Sequence, residues 1–197
     1  MNRQNLRNLV VIVVTTVAIM VALILIRQPW RTSGSAGTTG TGGGDVTQLG
    51  ITVPPGQAAP KVGERASDFL ATTITGETLT LSEAGQPVWL LFGATWCTTC
   101  RGEASAVQAV AEAYRGRVRV VSVYVGEDAA TVQRYADRVG LTYPQIADAD
   151  TAIAQAYAVM GIPAHFFIAA DGTIHKAAVG PLTQKAASAE LDAILGG

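Results

Sequence analysis

The sequence is poor in metal-binding and redox residues, with two cysteines and two histidines among 197 residues. Two cysteines cannot make a framework of several disulfides. A closed four-ligand zinc site would need both of them together with His165 and His175. Charge is also scarce: the four charged types make up 15 % of the chain and balance to a formal −1. No field of one sign is available to recruit nucleic acid. No internal repeat is visible, and the length suits one domain with appendages.

What is abundant is apolar, and one N-terminal run supplies much of it. Leu9–Ile26 reads LVVIVVTTVAIMVALILI, eighteen residues without a charge. At helical rise this covers about 27 Å, close to the thickness of a bilayer's hydrocarbon core. Thr15 and Thr16 can return their hydroxyls to the helix backbone. Arg3 and Arg7 precede the run, and Arg27 and Arg31 follow it, a bias that slightly favours a cytoplasmic N-terminus. A cleaved signal peptide would have a core of about 7–15 residues ending at small residues. Here the core is longer and Arg27-Gln28-Pro29-Trp30-Arg31 follows directly, with Trp30 suited to the interface. Residues 1–31 are therefore expected to be an uncleaved anchor, and on either reading the remainder is exported. Residues 32–61 are rich in Gly, Ser, Thr and Pro and lack periodic apolar spacing, which predicts a flexible tether.

From residue 62 to 197 strand and helix patterns alternate. Thr72–Thr80 suggests a hairpin around Gly76-Glu77. Val88–Phe92 and Val118–Val125 read as core strands. Val107, Val110 and Tyr114 recur at helical spacing, as do Val132, Ala136 and Val139 before Gly140. A short strand near 144–147 and a helix near 150–158 come next. His165–Ile168 and Thr173–Val179 flank Ala170-Asp171-Gly172, a second hairpin, and a helix capped by Thr183 closes the chain. This pattern predicts a layered α/β domain with a mixed sheet.

The chemistry concentrates in Trp96-Cys97-Thr98-Thr99-Cys100, which follows a core strand and opens a helix. At a helix N-terminus, unsatisfied amides and the helix dipole stabilise a thiolate at Cys97. Cys100 lies one turn on, close enough to resolve a mixed disulfide. Cys97 is expected to be the exposed nucleophile and Cys100 the buried resolving thiol. Glu103 shares a helical face with Val107, Val110 and Tyr114. Burial there would raise its pKa and suit it to exchange a proton with Cys100; a solvated first-turn glutamate favouring the helix dipole is the other reading.

Residues 62–195 resemble the TlpA/ResA-like branch of the thioredoxin superfamily. The resemblance is carried by Val62-Gly63-Glu64-Arg65-Ala66-Ser67-Asp68-Phe69, by Phe92–Arg101, by Gly161-Ile162-Pro163-Ala164-His165-Phe166-Phe167-Ile168 and by Asp171-Gly172-Thr173-Ile174. It implies a thioredoxin-like fold, a central mixed sheet flanked by helices, here with an N-terminal hairpin and transmembrane helix. It also implies an anchored, extracytoplasmic reductant of protein disulfides, notably in cytochrome c maturation. Partners would be protein disulfides such as apocytochrome c and a membrane electron donor of the CcdA/DsbD type. No cofactor is implied beyond the redox-active pair Cys97–Cys100. By position, Pro163 matches the branch's cis-proline, which with Ile162 offers a backbone edge to substrate. Glu103 matches a glutamate three residues after the second cysteine, and Trp96 would lie over the disulfide as an exposed platform. Glu127–Pro144 matches the insertion that separates this branch from plain thioredoxin.

Two departures stand out. Thr98-Thr99 replaces a dipeptide that often contains proline, leaving an extra amide donor near the Cys97 sulfur. Leu91 stands where relatives carry a buried aspartate or asparagine, which leaves Glu103 as the remaining acid. A copper carrier of the same fold is the alternative, but such relatives use CxxxC and a distant histidine. A peroxidase would carry a Thr three residues ahead of its reactive cysteine, where this chain has Ala94.

Overall fold

The computed structural model describes residues 59–196, the backbone of Ile51–Thr52, and Met20. The chain falls into two units, Met1–Gly44 and Asp45–Gly197, and the fold described below is that of the second. The apolar run Leu9–Ile26 lies outside the described residues apart from Met20. Among the described residues, no helix is long and apolar enough to cross a membrane.

Among the described residues of this unit, eight strands and four α-helices succeed one another. They are β1 (Ile51–Thr52), β2 (Leu70–Thr72), β3 (Thr78–Thr80), β4 (Val88–Gly93), α1 (Thr98–Ala113), β5 (Arg119–Val125), α2 (Ala129–Val139), β6 (Gln145–Asp148), α3 (Ala152–Ala156), β7 (Ala164–Ile168), β8 (Ile174–Val179) and α4 (Gln184–Leu195). The main sheet has the order β6-β5-β4-β7-β8. β4, β5 and β6 run parallel, and β7 and β8 are antiparallel to their neighbours. This is the thioredoxin-like α/β fold with a central mixed sheet. β2 and β3 pair antiparallel around the Thr73–Glu77 turn. Two residues that the sequence pattern puts in the tether, Ile51 and Thr52, pair with Ala71 and Leu70 and extend this small sheet.

β4 is central because nothing along it resists burial: five of its six residues, Val88 to Phe92, are buried. Its side chains alternate between two cores. Val88, Leu90 and Phe92 join Phe166 and Ile168 of β7, Phe69 and Leu79 of the hairpin region, and Ile153 of α3. On the other face Trp89 and Leu91 join Phe167, with Val107 and Val110 of α1, Tyr114 at its C-terminal cap, and Leu191 of α4. Trp89 stacks on Phe167 at 5.5 Å between centroids. The Tyr114 hydroxyl ties α1 to α4 by donating to Asp192 at 2.7 Å.

Helix ends obey their capping residues. Asp128 Oδ1 accepts from Thr131 N at 2.8 Å to start α2, and Gly140, at φ 73°, ends it. Thr183 Oγ1 accepts from Ala186 N at 3.2 Å to start α4. The helix expected near 150–158 contracts to Ala152–Ala156. Its start is set by Asp148, a fully buried residue whose carboxylate accepts from Ile153 N at 3.2 Å and Ala154 N at 2.9 Å.

Candidate active site

β4 ends at Gly93 and the chain turns through Ala94-Thr95-Trp96 into α1. Cys97 is the N-cap residue of that helix, with β-region backbone (φ −72°, ψ 111°), and its sulfur accepts from Cys100 N at 3.1 Å. A thiolate at this sulfur would have the same donor, and the helix dipole would favour it. Cys97 and Cys100 form a disulfide with their Cα atoms 5.3 Å apart. A side chain at Gly93 would meet the Cys100 Cβ and Sγ at 3.5 Å, so the second cysteine packs against the end of the central strand.

The expected exposure of the pair is reversed in this oxidised form. Cys97 is buried, with 8 % of its surface accessible, whereas Cys100 is half-buried. The cap geometry accounts for the first of these: Cys97 folds its sulfur back over the opening turn of α1 instead of projecting it outward. Trp96 is 67 % exposed beside it.

Glu103 lies one turn further along α1 and is buried, as are Val107, Val110 and Tyr114 on the same face. Loss of solvation pushes its carboxyl up to about 7, partly offset by Leu182 N–H, which donates to Oε2 at 3.0 Å. It is therefore not a solvated first-turn charge. With Cys100, Ser122, Tyr124, Tyr135 and Tyr143 it lines a small cavity of about 30 Å³, room for about one water by volume. Leu91, itself buried, adds an apolar wall to the same cavity.

The Ile162–Pro163 peptide is cis. Pro163 is buried and Ile162 half-buried. Ala164 pairs with Phe92, next to Gly93, so register alone brings Pro163 to the end of the sheet that carries the disulfide. Trp96, Cys97, Cys100, Glu103, Ile162 and Pro163 thus belong to one end of one sheet. A cavity of about 580 Å³ lined by Arg65, Asp68, Ser82, Val88 and Asp171 opens at the opposite end of β4, away from any sulfur.

Two site residues escape the sequence reading. Glu127, at the β5–α2 junction and 8 % exposed, accepts from both Thr95 N (2.7 Å) and Thr95 Oγ1. It clamps the loop that delivers Trp96 and Cys97. A carboxylate placed after a glycine at the end of a core strand is the signal that could have found it. His165 is fully buried, 3.0 Å from Gly180 O through Nε2 and 3.6 Å from Glu103 Oε2. Burial holds its pKa down at about 4. The second histidine, His175, lies on β8 beside Glu190 at 3.7 Å. Among the described residues, no three His, Cys, Asp or Glu side chains gather to hold a metal.

A helix-capping disulfide after the central strand of a thioredoxin-like sheet, with a buried carboxyl behind it, defines a thiol–disulfide oxidoreductase. The sequence pattern of the AhpC/TSA family matches residues 62–177, and the chain belongs to that family. It is 31 % identical over 140 residues to the thiol-disulfide oxidoreductase ResA of Geobacillus kaustophilus, covering 70 % of this chain and 80 % of that protein. It is 34 % identical over 134 residues to the thioredoxin-like protein YneN of Bacillus subtilis, covering 66 % and 78 %. Among solved structures it is similar to a putative thiol:disulfide interchange protein DsbE from Chlorobium tepidum, with TM-score 0.65, 26 % identity, and coverage of 70 % of this chain and 99 % of that one. A secreted Mycobacterium tuberculosis disulfide oxidoreductase homologous to E. coli DsbE matches with TM-score 0.57, 30 % identity and coverage of 63 % and 94 %.

Proposed function

We propose that this oxidoreductase is a membrane-anchored reductant of protein disulfides, working outside the cytoplasm in the manner of cytochrome c maturation. The observation that carries the chemistry is the Cys97–Cys100 pair at the start of α1 with Glu103 buried one turn behind it. In the reduced protein the Cys97 thiolate attacks one sulfur of a substrate disulfide, forming a mixed disulfide and releasing the other substrate sulfur as a thiolate. Cys100 passes its proton to the Glu103 carboxylate and attacks Cys97 Sγ. The Cys97–Cys100 bond forms, the second substrate thiolate leaves, and two electrons have moved from the dithiol to the substrate. Trp96 and the Ile162–Pro163 edge receive the substrate chain. A membrane electron donor of the CcdA/DsbD type then re-reduces the pair.

The ResA relatives support the thiol–disulfide exchange, the secreted mycobacterial oxidoreductase supports work outside the cytoplasm, and the apolar Leu9–Ile26 run supports the anchor. The decisive measurement is the Cys97–Cys100 reduction potential. A value near that of thioredoxin, about −270 mV, supports reduction of substrates; one near about −120 mV supports disulfide formation instead. Protease added to intact spheroplasts should remove residues beyond the tether and leave a membrane-bound stub. Protection of the domain, or a mature N-terminus beyond Trp30, defeats the topology or the anchor respectively.

A further inference from the structure

The exchange reaction leaves His165 without a part, although it is fully buried and close to the acid. Its Nε2 lies 3.0 Å from Gly180 O. A carbonyl can only accept, so Nε2 carries the hydrogen. Nδ1 is then a bare lone pair with no partner in the interior, a standing cost that an apolar side chain would not carry. Such an orphan calls for an explanation.

The contacts around it close a ring. Gly180, at φ +99°, is held from both sides: its carbonyl accepts from His165, and its N–H donates to Pro163 O at 2.8 Å. Two residues on, Leu182 N–H donates to Glu103 Oε2 at 3.0 Å. Glu103 Oε2 in turn lies 3.6 Å from His165 Nε2, too long for a hydrogen bond but close enough for the N–H dipole to act on a carboxylate. We propose that His165 is a positioning residue for the Glu103 proton step: as a fixed Nε2–H tautomer it holds the Gly180–Leu182 turn so that Leu182 N–H meets Glu103, and it presents its own N–H dipole to the carboxylate.

The other groups facing Glu103 do not supply this polarity. From α1 there is Cys100, and Arg101 is exposed on the same helix; from β5 come Ser122 and Tyr124, from α2 Tyr135, and ahead of β6 Tyr143. Burial pushes all three tyrosines up, Tyr143 to about 12, so they stay neutral at working pH. Glu103 is the one carboxyl among the described residues lining the cavity. His165, kept neutral by burial, does not compete for the proton, so Glu103 titrates alone.

This inference rests on the proposed role of Glu103, and the test separates the two. The Glu103 side-chain carbon is titrated by NMR in the reduced full-length protein, with Glu103→Gln assigning the signal. His165→Leu should raise the midpoint by about one pH unit, a tenfold gain in proton affinity. It should also slow resolution of the mixed disulfide up to about tenfold at pH 7, with recovery at higher pH. His165→Gln, which keeps a side-chain N–H, should stay within about threefold of wild type. An unmoved midpoint in His165→Leu, or an equal shift in both variants, overturns the proposal. So does ¹⁵N NMR of the wild type showing the His165 proton on Nδ1 at neutral pH, a result that needs no variant to fold. If the midpoint moves but Glu103→Gln resolves at the wild-type rate, the positioning stands and the proton role of Glu103 falls.

Discussion

The two faces of β4 and β7 share the same strands and register yet carry different burdens. One face presents Val88, Leu90, Phe92, Ala164, Phe166 and Ile168 to an apolar core. The other presents Trp89, Leu91, His165 and Phe167 towards α1 and α4, and there polar atoms accumulate. Trp89 Nε1 and His165 Nδ1 have no partner, and Glu103 is buried with a raised pKa. A face that only has to hold the sheet together can be apolar throughout. The face under the disulfide keeps unpaired polar groups at a cost to stability, which is the mark of a site maintained for chemistry.

The contrast between faces is sharpest at the sulfurs, where the largest effect is expected. Cys97→Ser should abolish turnover and trap nothing, while Cys100→Ser should accumulate a mixed disulfide through Cys97. Faster alkylation of Cys100 than of Cys97 in the reduced protein at neutral pH would reverse the assignment. On the apolar face, Phe166→Ala should cost about 3–5 kcal/mol and Leu90→Ala about 2–5 kcal/mol of unfolding free energy. Neither should move the pH at which the resolving step titrates, and a shift there would break the distinction between faces. Glu127→Gln should cost about 1.5–3 kcal/mol by weakening two charge-assisted bonds to Thr95, detectable in denaturant melts together with faster labelling of reduced Cys97.

Glu103→Gln gives a pH-dependent stability change of unusual sign. The folded protein holds the Glu103 proton up to about pH 7, against an ordinary value of 4.5. Between those values it binds more protons than the unfolded chain, so wild-type stability falls as pH rises through that window and levels off above it. The variant lacks this slope and should gain about 2–3 kcal/mol relative to wild type between pH 5 and 9. Thermal melts of the oxidised proteins at both pH values check it, and resolution kinetics unchanged across that range would remove Glu103 from the mechanism. Least of all, breaking the surface pair Arg119–Glu77, 3.3 Å apart and part-exposed, should cost no more than about 0.5 kcal/mol.

Much of the fold is legible in the sequence because its signals are local. The doubly buried VWLLF strand, the CxxC that opens a helix and the Gly140 stop each depend on a few neighbouring residues. Glu103 is legible too, since helical spacing alone puts it with Val107 and Val110. What escapes depends on register between distant segments. His165 shows no link to Glu103 until β7 pairs antiparallel with β4, opposing it to Leu91. Glu127 reaches Thr95 across 32 positions. The exposure of the two cysteines is not legible either, because helix position says which sulfur is polarised, not which one the surrounding chain covers.

The amide of Cys100 that meets the Cys97 sulfur at 3.1 Å has a consequence for the speed of exchange. The donor is already aimed at that sulfur in the disulfide, so when a thiolate forms there the opening turn of α1 has little to rearrange. Charge arrives in surroundings oriented for it beforehand, and the reorganisation that free thiols demand of water is largely avoided. The helix cap serves as a preset dielectric for the reacting atom, and the backbone can stay still while the sulfurs exchange partners.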